Sequence, residues 1–373
     1  MNDQSANDPS AARSLDVIFR EEGRAAFITL NRQQALNALT HDMISSMYRQ
    51  YLRWAAAPRI YGVVLEAAPG RAFCVGGDIR TLIAGTSSDL DKALALFRDE
   101  YQHNWTLEQF TKPNVALIDG PVMGGGVGIS IFGTHRIAGE NFRFAMPETS
   151  IGFFPDVGGG WFLSRFPGET GTYLALTGRA VGRADGFYLG IASHCIAAAD
   201  FDKIRHAMIE SDPVDPMLAG LHRHPGDSEI EKLRPVIDRV FAADSVEEIL
   251  SRLDAEGGAH AQWARETAAT IRRNAPLSLK VALRQLRLGR RAASLKEALI
   301  TDFRLASRLV AAPDFREGVR AALIDKDRKP KWLPGTLAEV TTDMVEACFA
   351  PLDATELTLK DHWGLIEDRK SVV

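Results

Sequence analysis

Short apolar runs of strand length recur through the first two hundred residues, with polar turns between them. Leu15–Arg20 and Ala25–Leu30 flank a glycine turn, and this pattern predicts a β-hairpin. Ile60–Leu65 and Asn114–Ile118 are rich in apolar and β-branched residues, and each predicts a buried strand. Because such strands alternate with longer amphipathic segments, we expect an α/β fold in which helices cover a sheet.

Helical periodicity connects these strands and dominates the second half of the chain. Asn37–Ala57 and Asp89–Phe110 carry apolar residues at helical spacing, and strand patterns fade beyond about residue 200. Two Ser-x-x-Glu sequences, which begin at Ser245 and Ser294, have the spacing of a helix capping box. The segment Asp212–Asp227 is rich in proline, glycine and histidine, so it predicts a loop.

Composition and length are those of a globular protein. The 373 residues carry a net charge of −4, and this length allows one large domain or two ordinary ones. We expect a disordered tail (1–14), an α/β core that carries the active site (15–200) and a mainly helical region (201–373). The chain lacks the basic surplus of a nucleic-acid-binding protein and any apolar run near the roughly 20 residues that cross a bilayer. Neither nucleic acid nor a membrane is therefore an expected partner.

The cysteines and histidines give no sign of a disulfide framework or a metal site. Cys74, Cys195 and Cys348 lie far apart, and no histidine pair has a metal-ligand spacing. Residues 1–14 lack both the apolar core of a signal peptide and the arginine-rich character of a transit peptide. Since unpaired cysteines are typical of reducing compartments, the expected location is cytoplasmic.

A glycine-rich turn is the most informative motif of the chain. Gly124, Gly125 and Gly126 follow a strand-like run and open a short helix, where the first N–H groups have no intrahelical partner. Without side chains on these residues, another molecule can approach those N–H groups closely. Glu148 and Asp156 follow within about thirty residues along the chain. An anion receptor beside two carboxylates indicates chemistry that develops an oxyanion.

Each of these residues also has an explanation without function when it is taken alone. Glu148 fits the first turn of a helix, Asp156 fits an N-cap, and Glu100 fits a solvated helical charge. Gly76 and Gly77 fit a tight turn. The glycine cluster matches neither the dinucleotide fingerprint nor the phosphate-binding loop of nucleoside triphosphatases.

Several motifs together resemble the crotonase (enoyl-CoA hydratase/isomerase) superfamily. Phe73–Asp78, Met123–Gly126 and Met146–Glu148 carry the superfamily pattern. The finer resemblance is to its 3-hydroxyisobutyryl-CoA hydrolase branch, and it is carried by Phe144–Thr149, Gly152–Gly160, Ala175–Gly178, Glu317–Ala321, Leu323–Asp327 and Pro330–Trp332. The resemblance extends from about Val17 to Pro334. It implies a stack of ββα units that forms two near-perpendicular sheets, followed by a helical C-terminal region.

The resemblance also implies a set of site residues. Backbone N–H groups of Val75 and Gly125 are expected to form an oxyanion hole for an acyl-CoA thioester. Glu148 is expected to be the catalytic carboxylate, with Asp156 on the 3-hydroxyl or on water and Glu100 in support of that polar end. The remaining residues expected to contact substrate are Gly76, Gly77, Asp78 and Gly124.

One departure separates this chain from the hydratases that it resembles. Those enzymes use two glutamates, and the first lies in the glycine-rich helix where this chain has Gly128. The hydrolase branch lacks that glutamate too, so we expect cleavage of 3-hydroxyisobutyryl-CoA to 3-hydroxyisobutyrate and CoA, a step of valine breakdown. Glu148 would act either as a nucleophile or as a general base towards water.

Two alternatives stay open: an enoyl-CoA isomerase or hydratase of the same superfamily, and a CoA-binding protein without catalysis. No metal or redox cofactor is expected, since CoA is part of the substrate. The superfamily often forms trimers or hexamers, so a homo-oligomer is compatible with the resemblance. The basic run Lys326–Lys331 is explained equally well as a solvated face or as a contact for CoA phosphates.

Overall fold

The described part of the protein contains two sheets, with mostly parallel strands, and many helices. The computed structural model describes residues 16–82 and 87–362, and the predicted tail at 1–14 lies outside them. The strands are β1 (Val17–Glu22), β2 (Ala25–Leu30), β3 (Gly62–Ala67), β4 (Asn114–Ile118), β5 (Pro121–Met123), β6 (His135–Ala138), β7 (Arg143–Ala145) and β8 (His194–Cys195).

Helices fill the spaces between the strands and make up almost everything after β8. They are α1 (His41–Ala55), α2 (Ser87–Gln109), α3 (Gly125–Ile131), α4 (Gly159–Leu163), α5 (Thr170–Thr177), α6 (Arg183–Tyr188), α7 (Phe201–Glu210), α8 (Val214–Leu221), α9 (Glu229–Phe241), α10 (Val246–Ala255), α11 (Ala261–Arg273), α12 (Pro276–Gly289), α13 (Leu295–Leu309), α14 (Pro313–Val319) and α15 (Thr342–Phe349). Short 3₁₀ turns occur at Gln33–Ala35, Ile79–Leu82, Glu148–Ile151, Ala198–Asp200, Gly258–His260, Leu337–Glu339 and Asp353–Thr355, and Arg320–Ile324 forms a π-helical turn.

The strand order explains how the chain builds its layers. The large sheet runs β1-β2-β3-β4-β6-β8, with β1 antiparallel to β2 and the other neighbours parallel. Parallel neighbours need a crossover, and α1 and α2 supply two of these connections. β5 and β7 pair in a second, two-stranded sheet. The predicted α/β class, with two sheets and a helical C-terminal region, is confirmed.

The large sheet separates two hydrophobic clusters, because neighbouring residues of a strand point to opposite faces. On β2, Ala26 and Ile28 belong to the larger cluster, whereas Ala25 and Phe27 belong to the smaller one. Helices α7 and α8 cover the smaller cluster through Phe201, Ile204, Met208, Val214 and Leu218. Buried residues of the helical region from α9 onward join the larger cluster, so one core connects residues before and after position 200.

Local signals place most elements correctly and one incorrectly. The hydroxyls of Ser245 and Ser294 cap α10 and α13 by accepting hydrogen bonds from the backbone three residues later. The predicted loop at Asp212–Asp227 is wrong, because α8 lies within it and buries Val214 and Leu218. Within the described ranges, no helix is long and apolar enough to cross a membrane.

The helical region braces the loop that follows the 3₁₀ turn at Glu148–Ile151. Asp302 of α13 is fully buried and accepts hydrogen bonds from the Gly158 N–H (2.8 Å) and from the Gln285 side-chain amide (2.7 Å). The same Gln285 nitrogen donates to the Pro155 carbonyl oxygen (2.9 Å). Two helices therefore fix the backbone on both sides of Asp156.

Asp302→Ala is expected to destabilise the protein by about 2 kcal/mol, because it leaves the buried Gly158 N–H group without an acceptor. The melting temperature in a thermal scan should fall by a few degrees. Asp302→Asn keeps one acceptor oxygen and should give an intermediate value. An unchanged melting temperature for Asp302→Ala would show that this brace does not stabilise the fold.

Candidate active site

A cavity of about 800 Å³ lies where the two glycine turns meet the helical region. From the turns it is lined by Val75, Gly76, Gly77, Gly124 and Gly125. Its acidic residues include Asp78, Glu100, Glu148 and Asp156. The structure therefore brings all nine residues singled out from the sequence to one cavity.

The first turn follows β3 and is held by a buried asparagine. Asn37, whose φ of 56° lies in the left-handed region, donates through its side chain to the carbonyl oxygens of Ala72 (3.2 Å) and Phe73 (2.8 Å). Cys74 pairs with Val122 of β5 in an isolated parallel bridge. These contacts hold the segment that connects the large sheet to the edge of the second sheet.

The second turn approaches the first within van der Waals distance. Gly124 has a φ of 45°, which favours glycine, and it is the N-cap of α3. A Cβ atom on Gly76 would lie 3.5 Å from the Gly125 nitrogen, and a Cβ on Gly125 would lie 3.4 Å from the Gly77 nitrogen. A Cβ atom on either glycine would thus reach a backbone nitrogen of the other turn at contact distance.

The structure does not support Val75 as an oxyanion-hole donor. Its N–H group donates to the Leu36 carbonyl oxygen at 3.3 Å, so this hydrogen already has an acceptor. The Gly77 N–H has no acceptor among the described residues, and the Gly125 N–H, as the first of α3, has none within its own helix. The N–H groups that remain open to the cavity are therefore those of Gly77 and Gly125.

Glu148 lies beside the second turn with its carboxylate buried. It begins a 3₁₀ turn after Pro147, as its sequence position suggested, but only 7% of its surface is exposed. Its Oε1 atom lies 3.1 Å from the position that a Cβ on Gly124 would occupy, and its Oε2 atom is buried without a hydrogen-bond partner among the described residues. Burial and the nearby charge of Asp156 raise its pKa well above the ordinary value.

Asp156 is held by a tyrosine and does not cap a helix, since Gly158 is the N-cap of α4. The Tyr101 hydroxyl donates to Asp156 Oδ2 at 3.1 Å. Burial raises the pKa of Asp156 to about 7, although the Tyr101 hydrogen bond opposes this shift. No sequence motif marks Tyr101, and the available signal is its position beside Glu100 on α2.

Glu100 is buried in the same cavity and is not a solvated helical charge. It is 2% exposed, and burial together with the Asp156 charge raises its pKa well above the usual value. Asp78, by contrast, forms an ion pair with Arg32 at 2.8 Å, so its carboxylate is engaged with a side chain of the protein.

Position 128 has no room for a side chain on α3. A Cβ on Gly128 would lie 2.9 Å from Asn104 Nδ2 and 2.9 Å from the Val157 Cβ atom. A glutamate there would require α2 or the loop before α4 to move. The packing therefore agrees with the absence of the first hydratase glutamate.

The helical region supplies part of the cavity wall, so the expectation that the active site lies within residues 15–200 was too narrow. Phe315 of α14, Leu323 of the π-helical turn and Lys326 line the cavity. Arg80 donates to the Leu323 carbonyl oxygen at 3.4 Å across the entrance. Lys329 and Lys331 are exposed and do not line it. Periodicity alone could not place these distant residues at the site.

Cys74 is a buried packing residue. Its thiol lies 3.0 Å from the Asn37 carbonyl oxygen, to which it donates, and burial raises its pKa to about 12. A thiolate nucleophile is therefore not available at this position near neutral pH.

Known proteins with names from the same superfamily are similar to this chain over most of its length. The chain is 41% identical over 361 residues to a mitochondrial 3-hydroxyisobutyryl-CoA hydrolase of Danio rerio, covering 94% of this chain and 93% of that protein. A human protein with the same name is 40% identical over 357 residues, covering 92% and 90% of the two chains.

Two solved structures share the whole fold. A carnitinyl-CoA dehydratase from Mycobacterium thermoresistibile superposes with a TM-score of 0.88 at 37% identity, covering 93% of this chain and 99% of that one. An enoyl-CoA hydratase from Rhodobacter sphaeroides 2.4.1 gives 0.86 at 38% identity, covering 92% and 100%. These matches confirm the predicted crotonase-like fold.

The expected cytoplasmic location is contradicted by these relatives, whose names describe them as mitochondrial. The expectation rested partly on three unpaired cysteines, which indicate a reducing environment without saying which compartment supplies it. Its other basis, residues 1–14, lies outside the described part of the chain.

A family model described as enoyl-CoA hydratase/isomerase matches residues 25–349, which include both glycine turns, the three buried carboxylates and the helices that close the cavity. The chain therefore belongs to the enoyl-CoA hydratase/isomerase family.

Proposed function

We propose that this protein hydrolyses the thioester of 3-hydroxyisobutyryl-CoA, releasing 3-hydroxyisobutyrate and CoA. The hydrolases of this name that cover nine-tenths of the chain support this substrate. The observation that carries the proposal is that Glu148 and the N–H groups of Gly77 and Gly125 face one cavity, while position 128 has no room for a second carboxylate.

In this proposal the thioester carbonyl oxygen accepts hydrogen bonds from Gly77 and Gly125. Attack on the carbonyl carbon moves the π electron pair onto that oxygen, where fixed donors stabilise it, typically by about 2.7–4 kcal/mol for each donor. The tetrahedral intermediate then collapses, the C–S bond breaks, and CoA leaves as a thiolate that takes up a proton.

Glu148 supplies the nucleophile by one of two routes. A direct attack by its carboxylate gives a transient anhydride that water then hydrolyses. Alternatively, Glu148 removes a proton from water, the hydroxide adds to the carbonyl carbon, and the proton passes to the departing thiolate. Both routes need Glu148 ionised, and neither uses a metal or redox cofactor.

Asp156 is proposed to read the 3-hydroxyl group of the acyl chain. Its carboxylate lines the cavity and is 6% exposed, so an acyl chain without a hydroxyl would leave a buried acceptor unpaired. The walls near it are apolar, with Leu96, Phe97, Phe153 and Phe315 available to pack against the branched carbon chain.

Hydration of an enoyl-CoA is the second candidate, and a specific observation favours it. Glu100 and Glu148 place two buried glutamates in the cavity although position 128 carries none. The two solved relatives named as a dehydratase and a hydratase are similar over the whole chain.

Thiol release measured with a thiol-reactive dye separates the two candidates. We expect rapid release from 3-hydroxyisobutyryl-CoA, slow release from isobutyryl-CoA, and no change in crotonyl-CoA absorbance.

Glu148→Gln should lower the rate by about 10²–10⁴-fold, the usual contribution of a positioned acid or base. Loss of the crotonyl-CoA absorbance without thiol release would favour the hydratase, and near-normal turnover by Glu148→Gln would remove Glu148 from the mechanism.

Asp156→Asn should weaken the preference for the hydroxylated substrate. A hydrogen bond to a charged group contributes about 1.5–3 kcal/mol, so the ratio of kcat/KM for 3-hydroxyisobutyryl-CoA over isobutyryl-CoA should fall by about 10–100-fold. An unchanged ratio would mean that Asp156 does not contact the hydroxyl.

The pH profile should reflect the raised pKa of Glu148. Because the ionised form reacts, kcat/KM should keep rising above the ordinary glutamate range of about 4–5. Asp156→Asn removes a negative charge that raises the Glu148 pKa, so its inflection should move to lower pH. A wild-type profile that is already flat at pH 5 would contradict this electrostatic account.

A further inference from the structure

Glu100 occupies an unusual position beside the two backbone donors. It projects from α2 towards the second glycine turn, where a Cβ on Gly125 would overlap with its Oε1 atom. The same Cβ position lies 3.4 Å from the Gly77 nitrogen. One carboxyl oxygen of Glu100 therefore lies next to the gap between Gly77 and Gly125.

That oxygen has no hydrogen-bond partner within the described part of the chain, although it is buried. A buried carboxyl oxygen without a partner is costly in the folded protein, and such groups occur where a ligand completes the hydrogen bonding. In the proposed reaction, the group that arrives at this gap is the thioester carbonyl oxygen.

The protonation state of Glu100 decides what it can do there. An ionised carboxylate has only acceptor atoms, and it would repel the negative charge that develops on the carbonyl oxygen. A protonated carboxyl group carries one O–H donor, and it would add to the stabilisation that the two N–H groups provide.

The charges around Glu100 favour the protonated form. Asp156 faces it across the cavity, and burial together with this charge raises the Glu100 pKa well above its ordinary value. Glu148 lines the same cavity from the 3₁₀ turn. From α13, Asp302 faces the neighbouring Tyr101 and raises the Tyr101 pKa. The segment of α3 that packs against α2 carries no titratable side chain.

Two of the basic residues that line the cavity are engaged with other groups, whereas Arg71 and Lys326 line it at exposed positions. Arg32 pairs with Asp78, and Arg80 donates to the Leu323 carbonyl oxygen. On the α1 side, His41 pairs with Asp99 at a half-exposed position of α2. The Cys74 thiol donates to the backbone, and the charge of Glu100 would raise its pKa further.

We propose that Glu100 acts in thioester hydrolysis as a neutral carboxylic acid whose O–H group donates a hydrogen bond to the thioester carbonyl oxygen, beside the N–H groups of Gly77 and Gly125. The inference rests on the proposed function and deepens it. Glu100 keeps its proton throughout, so no bond of this residue forms or breaks. This role differs from the one that the resemblance implied, in which Glu100 supports the end of the cavity that binds the 3-hydroxyl group.

Paired substitutions of Glu100 test the donor role. Glu100→Gln replaces O–H with an N–H donor of nearly the same size, whereas Glu100→Ala removes the donor. Loss of one such donor typically costs about 10²–10³-fold in kcat, and we expect this loss for Glu100→Ala. Glu100→Gln should keep at least tenfold more activity than Glu100→Ala. In the wild type, we expect kcat to decline at alkaline pH as Glu100 ionises, and Glu100→Gln should not show this decline.

A spectroscopic measurement provides a readout that a structural role would not change. In a Glu148→Gln background, infrared spectra of bound 3-hydroxyisobutyryl-CoA with a ¹³C-labelled thioester carbonyl report the hydrogen bonds to that oxygen. Adding Glu100→Ala should move the carbonyl stretching frequency part of the way back to its value in water. Adding Glu100→Gln instead should keep most of the frequency shift that is seen with Glu100. Melting temperatures of all variants verify that they are folded.

The outcomes separate this inference from the proposed function. If the wild type releases thiol but Glu100→Gln is as inactive as Glu100→Ala, Glu100 acts in its ionised form and the inference is overturned. Equal activity of all three proteins, or an unchanged carbonyl shift in Glu100→Ala, would overturn it as well. If the wild type releases no thiol from any of the three substrates, the proposed function itself fails.

Discussion

The close approach of two backbone turns is the constraint on which the site depends. Gly76–Gly77 and Gly124–Gly125 lie close together, and the φ values of Gly76 (102°) and Gly124 (45°) lie in the region that favours glycine. The first turn follows β3 of the large sheet, and the second turn starts directly after β5. The N–H groups of Gly77 and Gly125, which line the cavity, have no backbone acceptor among the described residues.

The second condition is electrostatic. Three buried carboxyl groups, those of Glu100, Glu148 and Asp156, share a cavity. Of its basic lining residues, Arg32 is paired with Asp78, and Arg71, Arg80 and Lys326 are exposed. The three carboxyl groups cannot all ionise without strong mutual repulsion, so they hold their protons with different affinities. A reaction that needs one ionised carboxylate and one neutral acid can draw both from the same cluster.

The sequence, through its local patterns and its family resemblance, was sufficient for the hairpin, for β3 and β4, for several helices and for the nine residues that meet in the cavity. It failed at Val75 because an N–H group is available only when no other carbonyl takes it, and here the acceptor is Leu36 in a separate loop. It also missed α8, whose helical pattern is hidden among prolines and histidines until burial of Val214 and Leu218 is seen. Contacts between distant segments decide whether an N–H group is free and whether a short helix forms, and local sequence patterns carry no information about those contacts.

The brace around Asp156 has a consequence for how the protein is made. Gly158 and Asp302 are 144 residues apart, and Pro155 and Gln285 are 130 apart. A chain emerging from the ribosome therefore contains both glycine turns and all three carboxylates long before α12 and α13 can hold Asp156 in place. We therefore expect the complete site to form only late in synthesis, when these contacts of high sequence separation can be made.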